Sequence, residues 1–75
     1  MKLSQMKDGE SAVLSEILCK PELRYRLIDM GLTENSRITC LMKNLGKESF
    51  AYLIGDCVIA LRREDADNIK IQVDP

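Results

Sequence analysis

Apolar and polar positions alternate along much of this chain, which is the pattern of β-strands. Leu41 interrupts one stretch of alternation, in which Ile38, Cys40 and Met42 share a face. Gly55-Asp56 joins two apolar runs and is typical of a two-residue hairpin turn. The pattern predicts five strands, over residues 11–19, 37–43, 49–54, 57–61 and 69–73.

A helix of about ten residues is predicted between the first two strands. Pro21 suits the first helical position, and Gly31 suits the left-handed residue that commonly ends a helix. Between them, three apolar residues recur at the spacing of one helical face: Leu23, Leu27 and Met30. We expect this stripe, with Leu27 at its centre, to pack against the sheet.

The order of elements is a strand, a helix, a three-stranded meander, a charged helical turn over residues 63–68 and a last strand. Five short strands cannot form a large sandwich, whereas a small, strongly bent barrel protects their edges. We therefore expect a mainly β, small and strongly bent barrel with a short helix inserted after the first strand. A length of 75 residues predicts that residues 1–75 form a single domain.

Composition narrows the location and the partners of the chain. Eleven basic and twelve acidic residues give a net charge of −1, which argues against nucleic acid and against an anionic membrane surface. The first ten residues lack the apolar stretch of a signal peptide, and no run is long enough to span a membrane. Three cysteines, an odd count, favour a reducing cytosol over a disulfide framework.

No residue pattern indicates catalysis. Histidine, the commonest general base, is absent. The cysteines lack the close pairing of a zinc site, and their apolar neighbours predict core packing of Cys19, Cys40 and Cys57. The carboxylates at positions 64, 65 and 67 lack the pattern of a calcium loop and read as a solvated turn. We expect no enzyme activity, no bound cofactor and no metal site.

One side of the predicted helix is a candidate docking patch for a protein partner. Tyr25 and Ile28 lie away from the buried stripe and next to Arg24, a composition enriched at interface centres. Leu45 is a second apolar candidate, because it lies in a polar loop. The alternative is structural: Ile28 packs under a neighbouring loop and Tyr25 lies flat on the barrel.

Taken in order, these motifs resemble the ferrous iron transport protein A (FeoA) family over about residues 3–73. The resemblance is carried by Asp-Gly-Glu at 8–10, Arg-Leu-Ile-Asp-Met-Gly-Leu at 26–32, Gly55, Val-Ile-Ala-Leu-Arg at 58–62, Ala66 and Ile69. The family usually has glycine at position 35, where this chain has asparagine, the next best residue for positive φ. It often has Asp-Pro where this chain has Lys47-Glu48. We therefore expect Asn35 to adopt positive φ.

The resemblance implies an SH3-like barrel that acts in the cytosol as an accessory of FeoB, a ferrous-iron permease whose G domain hydrolyses GTP. Two alternatives stay open, and the sequence also leaves self-association open. The chain could be a metal-responsive domain that binds a transition metal directly. It could also act as the C-terminal domain partner of an iron-dependent repressor, since that domain shares the fold.

Overall fold

The computed structural model describes residues 1–43 and 48–73. The elements of these residues, in chain order, are a 3₁₀ turn (Leu3–Gln5), β1 (Ser11–Ile17), α1 (Pro21–Asp29), β2 (Arg37–Met42), β3 (Ser49–Ile54), β4 (Cys57–Arg62), α2 (Arg63–Ala66) and β5 (Ile69–Val73). The mainly β fold predicted above, with its helix after the first strand, is confirmed.

The strands form one antiparallel sheet in the order β4-β3-β2-β1-β5. The meander β2-β3-β4 follows chain order, while β5 crosses over to pair with β1. Gly55 opens the β3–β4 hairpin with φ of +60°, a conformation that glycine adopts without steric cost. The sheet therefore wraps around a core to which every strand contributes.

Inward-facing positions of the strands and the buried face of α1 build the core. Leu27 is buried, as predicted, and Leu61 of the motif at 58–62 is buried as well. Tyr52 fills the middle of the core, with its ring at 81° to that of Phe50 and its hydroxyl donating to the carbonyl oxygen of Leu3 at 3.4 Å. The largest fully buried side chains are Tyr52, Leu3, Met6, Leu14, Leu27, Leu32, Ile38, Ile69, Ile71 and Cys40.

Helix α1 ends as its sequence predicts. Gly31 has φ of +100° and donates its amide to the carbonyl oxygen of Ile28 at 2.9 Å. Leu32 donates to the carbonyl oxygen of Leu27, also at 2.9 Å. These two bonds define a Schellman motif, and the buried Leu27 and Leu32 side chains supply the apolar contact that accompanies it.

The turn between α1 and β2 is clipped to β1. Asn35 has φ of +70°, which confirms the predicted left-handed conformation, and its amide donates to the carbonyl oxygen of Leu14 at 2.9 Å. The amide of Leu14 in turn donates to the carbonyl oxygen of Ser36 at 2.8 Å. Glu48 also has positive φ, at 52°, which the sequence pattern did not indicate.

The structure differs from the sequence predictions at three places. The predicted alternation puts Met42 on the same face as Ile38 and Cys40, but the ladder shifts register between Cys40 and Met42, and this irregularity at Leu41 leaves Met42 exposed. Cys57 was expected in the core and is exposed at the hairpin end of β4. The first strand ends at Ile17, two residues earlier than predicted, so Leu18 lies beyond it and is half exposed.

The N-terminal segment belongs to the core, which the strand and helix patterns did not predict. Leu3 and Met6 are completely buried. The carbonyl oxygen of Met1 accepts a hydrogen bond from the amide of Ile71 at 2.8 Å, and Lys2 forms a β-bridge with Lys70. These contacts extend the β5 edge of the sheet.

Candidate partner-binding groove

The exposed face of α1 presents the residues that the sequence singles out. Leu27 points into the core, and Ile28, the next residue around the helix, is 39% exposed. Arg24 lies one turn before Ile28 on the same face, since residues four apart are neighbours on a helix. Tyr25 is 68% exposed, so it does not lie flat on the barrel as the structural alternative requires.

A groove of about 300 Å³ runs between this face of α1 and the end of β1. Three apolar side chains line it: Ile17, Leu18 and Ile28. Three charged side chains line it as well: Glu16, Arg24 and Glu34. We call these six residues the α1 groove.

Backbone contacts hold the walls of the α1 groove in place. The amide of Leu18 donates to the carbonyl oxygen of Asn68 at 2.7 Å, which fixes the chain as it leaves β1. The register shift between Leu14 and Glu16 lies just before this point. On the other side, the Asn35 bond to Leu14 holds the turn that carries Glu34 against β1.

The charged residues of the groove give it a mixed electrostatic character. Glu16 lies opposite Lys70 in the β1–β5 ladder, so a cation already faces one side of its carboxylate. Among the described residues, the carboxylates of Glu16 and Glu34 lie more than 4 Å from the Arg24 guanidinium. The three charged side chains are therefore open to partner groups, while the apolar floor offers a site for an apolar anchor.

The structure brings together some of the predicted patch residues and separates others. Arg24 and Ile28 line the groove, whereas Tyr25 lies on the neighbouring helix surface outside the lining. Leu45 lies outside the described residues. Leu18 was missed as an exposed residue, because its position after an apolar run made it look like part of the strand. Pro21, a helix-starting residue three positions later, was the available signal that the strand ends before Leu18.

The cysteines do not converge on one another. Cys19 is half buried and its thiol donates to the backbone oxygen of Asp65 at 3.4 Å, while burial, followed by the Asp65 carboxylate, raises its pKa. Cys40 is buried and Cys57 is exposed. Over residues 1–43 and 48–73, no group of three histidine, cysteine, aspartate or glutamate side chains is arranged to hold a metal ion.

The carboxylates of the charged turn at positions 64, 65 and 67 do not act together, because Glu64 and Asp67 contact different groups. Glu64 forms an exposed ion pair with Arg62 at 3.7 Å. Asp67 accepts a hydrogen bond from the hydroxyl of Ser4, which lies in the 3₁₀ turn.

In the part of the chain that the structure describes, no helix is long and apolar enough to cross a membrane.

The five-stranded antiparallel sheet with a helix after its first strand places the chain among small SH3-like domains. The FeoA domain model matches residues 1–73, and the chain belongs to this family. Membership in this family supports a role in ferrous iron transport.

A curated relative joins two functions in one polypeptide. The Fe(2+) transport protein A/Fe(2+) transporter FeoB fusion protein of Porphyromonas gingivalis is 30% identical over 73 residues. The match covers 97% of this chain and 9% of the fusion protein. The chain therefore corresponds to a small part of that relative.

Solved structures share the fold closely. The FeoA protein of Chlorobium tepidum is 26% identical with a TM-score of 0.91, over 97% of this chain and 70% of that one. FeoA of Stenotrophomonas maltophilia, an SH3 domain protein solved with zinc, is 22% identical with a TM-score of 0.83, over 96% of this chain and 89% of that one. A manganese-dependent transcriptional repressor is 18% identical with a TM-score of 0.85, over 97% of this chain and 41% of that one. At such identities, the last two likenesses concern the fold alone.

Proposed function

We propose that this chain is a cytosolic accessory protein of ferrous iron uptake that binds the FeoB permease through the α1 groove. The observation that carries the proposal is the Porphyromonas gingivalis relative, in which an Fe(2+) transport protein A and FeoB are parts of one polypeptide. Two modules that are fused in one organism commonly act together when they are separate chains. In this proposal residues 1–75 act as a single domain without catalysis of their own.

The groove supplies the chemistry of such contact. Its apolar floor of Ile17, Leu18 and Ile28 accepts an apolar anchor, and a partner surface with a cation can reach Glu34. Tyr25 and Arg24 extend the contact along α1, since aromatic and arginine side chains are enriched at binding hot spots. Leu45 stays a proposed contributor from outside the described residues.

Calorimetry of the chain with the cytosolic part of its own permease, with and without GTP, tests the proposal. Ile28→Asp and Leu18→Asp should each weaken binding at least tenfold, about 1.4 kcal/mol, while the melting temperature stays near that of the wild type. Val58→Asp is the matched control, because Val58 is exposed on β4 away from the groove. Wild-type affinity in both groove variants would move the docking surface elsewhere, and no binding by the wild type would refute the partnership.

A second candidate function is a metal-responsive domain that binds a transition metal or serves a repressor as its C-terminal domain partner. The fold likeness to the manganese-dependent repressor favours it. Calorimetry with ferrous iron under reducing conditions distinguishes the two candidates. A stoichiometric site that is lost in the triple Cys→Ser variant would favour the metal-responsive candidate.

A further inference from the structure

A second concave surface lies away from the α1 groove and shares no residue with it. It encloses about 470 Å³ between the 3₁₀ turn, the end of β2 and α2. This volume is within the range of about 300–1,000 Å³ that is typical of small-molecule sites. Its lining is mostly polar, which suits a charged ligand better than an apolar one.

Three cations from three different parts of the chain line this cavity: Lys2, Lys43 and Arg63. The Ser4 hydroxyl and the Gln5 amide add uncharged hydrogen-bonding groups. Asp67 is the acidic member of the lining, and it already accepts the Ser4 hydroxyl. The lining therefore carries an excess of positive charge in a chain whose net charge is −1.

The cations of the cavity are weakly neutralised within the protein. The Lys43 ammonium lies 5.6 Å from the centre of the Phe50 ring. This contact orients the lysine side chain but does not neutralise its positive charge. Arg63 pairs with Glu48 at 3.7 Å, but both side chains are more than half exposed, so the pair is weak. Among residues 1–43 and 48–73, no carboxylate lies within ion-pair distance of Lys2 or Lys43.

The backbone pairs Lys2 of the cavity with another lysine. Lys2 and Lys70 are bridge partners in an antiparallel pairing, which places two like charges directly opposite each other. Such a pair is destabilising unless a counter-charge is present. Glu16 lies opposite Lys70 on the β1 side of the ladder, but among the described residues no carboxylate comes within 4 Å of the ammonium group of Lys2 or Lys70.

We propose that this cavity binds a phosphate-bearing anion with at least two phosphate groups. Lysine and arginine are the side chains that recognise phosphate oxygens, and Arg63 can form two parallel hydrogen bonds to one phosphate. Three cations from separate parts of the chain can contact several negative oxygens at once, so they match a diphosphate better than a ligand that carries a single negative charge. The diphosphate is either free or part of a nucleotide, since both present the same oxygens.

Amide chemical-shift titration with inorganic pyrophosphate tests the site. We expect saturable shifts confined to residues around Ser4, Lys43 and Arg63, with a Kd of about 1 mM or lower. Lys2→Glu and Arg63→Glu should each weaken binding at least about tenfold, and Lys2→Arg should retain it. Lys20→Glu, the matched control, makes the same charge change at an exposed position before α1 and should leave binding unchanged.

Two further probes separate the alternatives. GTP should bind at the same residues; an affinity equal to that of pyrophosphate assigns recognition to the phosphates, and a tighter one assigns a contribution to the nucleoside. Citrate should bind more weakly, and equal binding of citrate would overturn selection for phosphate. Equal losses in Lys20→Glu and Lys2→Glu, or the absence of saturable shifts, would overturn the site itself.

Discussion

The amide of Leu32 donates a hydrogen bond to the carbonyl oxygen of Leu27 at 2.9 Å, and the side chains of both residues are completely buried. This contact ties the end of α1 to the core. It also sets the rotation of the helix, because a buried Leu27 turns the following residue, Ile28, toward the groove. The stability of the core and the presentation of the α1 groove therefore depend on the same bond.

Leu27→Ala should destabilise the domain by about 2–5 kcal/mol, since it removes a fully buried leucine and leaves a cavity at the helix end. Urea unfolding measures the change. Leu18→Ala is the matched control, because Leu18 is half exposed and should cost far less. Similar losses in the two variants would contradict the assigned burial.

Leu3→Ala should also cost about 2–5 kcal/mol, although Leu3 lies in a 3₁₀ turn near the start of the sequence. Its side chain is completely buried, and its carbonyl oxygen receives the Tyr52 hydroxyl. Thermal unfolding should show a large drop in melting temperature for this variant and a small one for Leu41→Ala, where the leucine is exposed. An unchanged melting temperature in Leu3→Ala would mean that the N-terminal segment is dispensable.

Asn35→Val should cost about 1–2 kcal/mol, because a β-branched residue strongly disfavours the left-handed conformation at φ of +70°. Asn35→Gly should be neutral or mildly stabilising, as glycine adopts this conformation freely. Urea denaturation of the two variants measures the difference in their free energies of unfolding, provided that this free energy depends equally steeply on urea concentration in both. A valine variant as stable as the glycine variant would show that the turn relaxes out of this conformation.

Stability should fall at alkaline pH partly through Cys40. Burial, followed by the nearby Asp8 carboxylate, raises the pKa of its thiol in the folded state above the unfolded value of about 8.5. The contribution is therefore complete below about pH 8.5 and is lost as pH rises through the folded pKa. Burial likewise raises the pKa of Tyr52, which adds to the loss at higher pH.

The slope of stability against pH between about 8.5 and 10 should be shallower in Cys40→Ala than in the wild type. Cys57→Ala is the matched control for the loss of a thiol, because Cys57 is exposed. Denaturant unfolding at a series of pH values provides the measurement. Parallel profiles for the wild type and Cys40→Ala would assign the alkaline loss to other groups.

Local chemistry made much of the fold predictable. Alternation and turn residues located the five strands, and Pro21 with Gly31 bounded the helix, because each of these signals acts within a few residues. The failures have local causes too. The register shift beside Leu41 reverses the facing of Met42, and the 3₁₀ turn that buries Leu3 is too short to produce a periodic pattern.

The α1 groove was predictable only in part. Arg24 and Ile28 follow from the helical wheel, since the position of the buried stripe determines which residues face away. Glu16 and Glu34 could not be assigned, because their proximity arises from the Asn35 bond to Leu14, a contact between segments separated in sequence. The second cavity depends even more on tertiary structure, as its cations come from three distant elements.

The pairing of Met1 and Lys2 with β5 has a kinetic consequence. The sheet is complete only when β5 has paired with β1 and with these first residues, across nearly the whole sequence. Contacts of such long sequence separation incur the loop-closure entropy before they contribute energy, and small β-barrels accordingly fold in milliseconds to seconds. During synthesis, β1 can pair with β2 and the β2-β3-β4 meander can form as these strands emerge, whereas the other edge of β1 stays unpaired until β5 has been made.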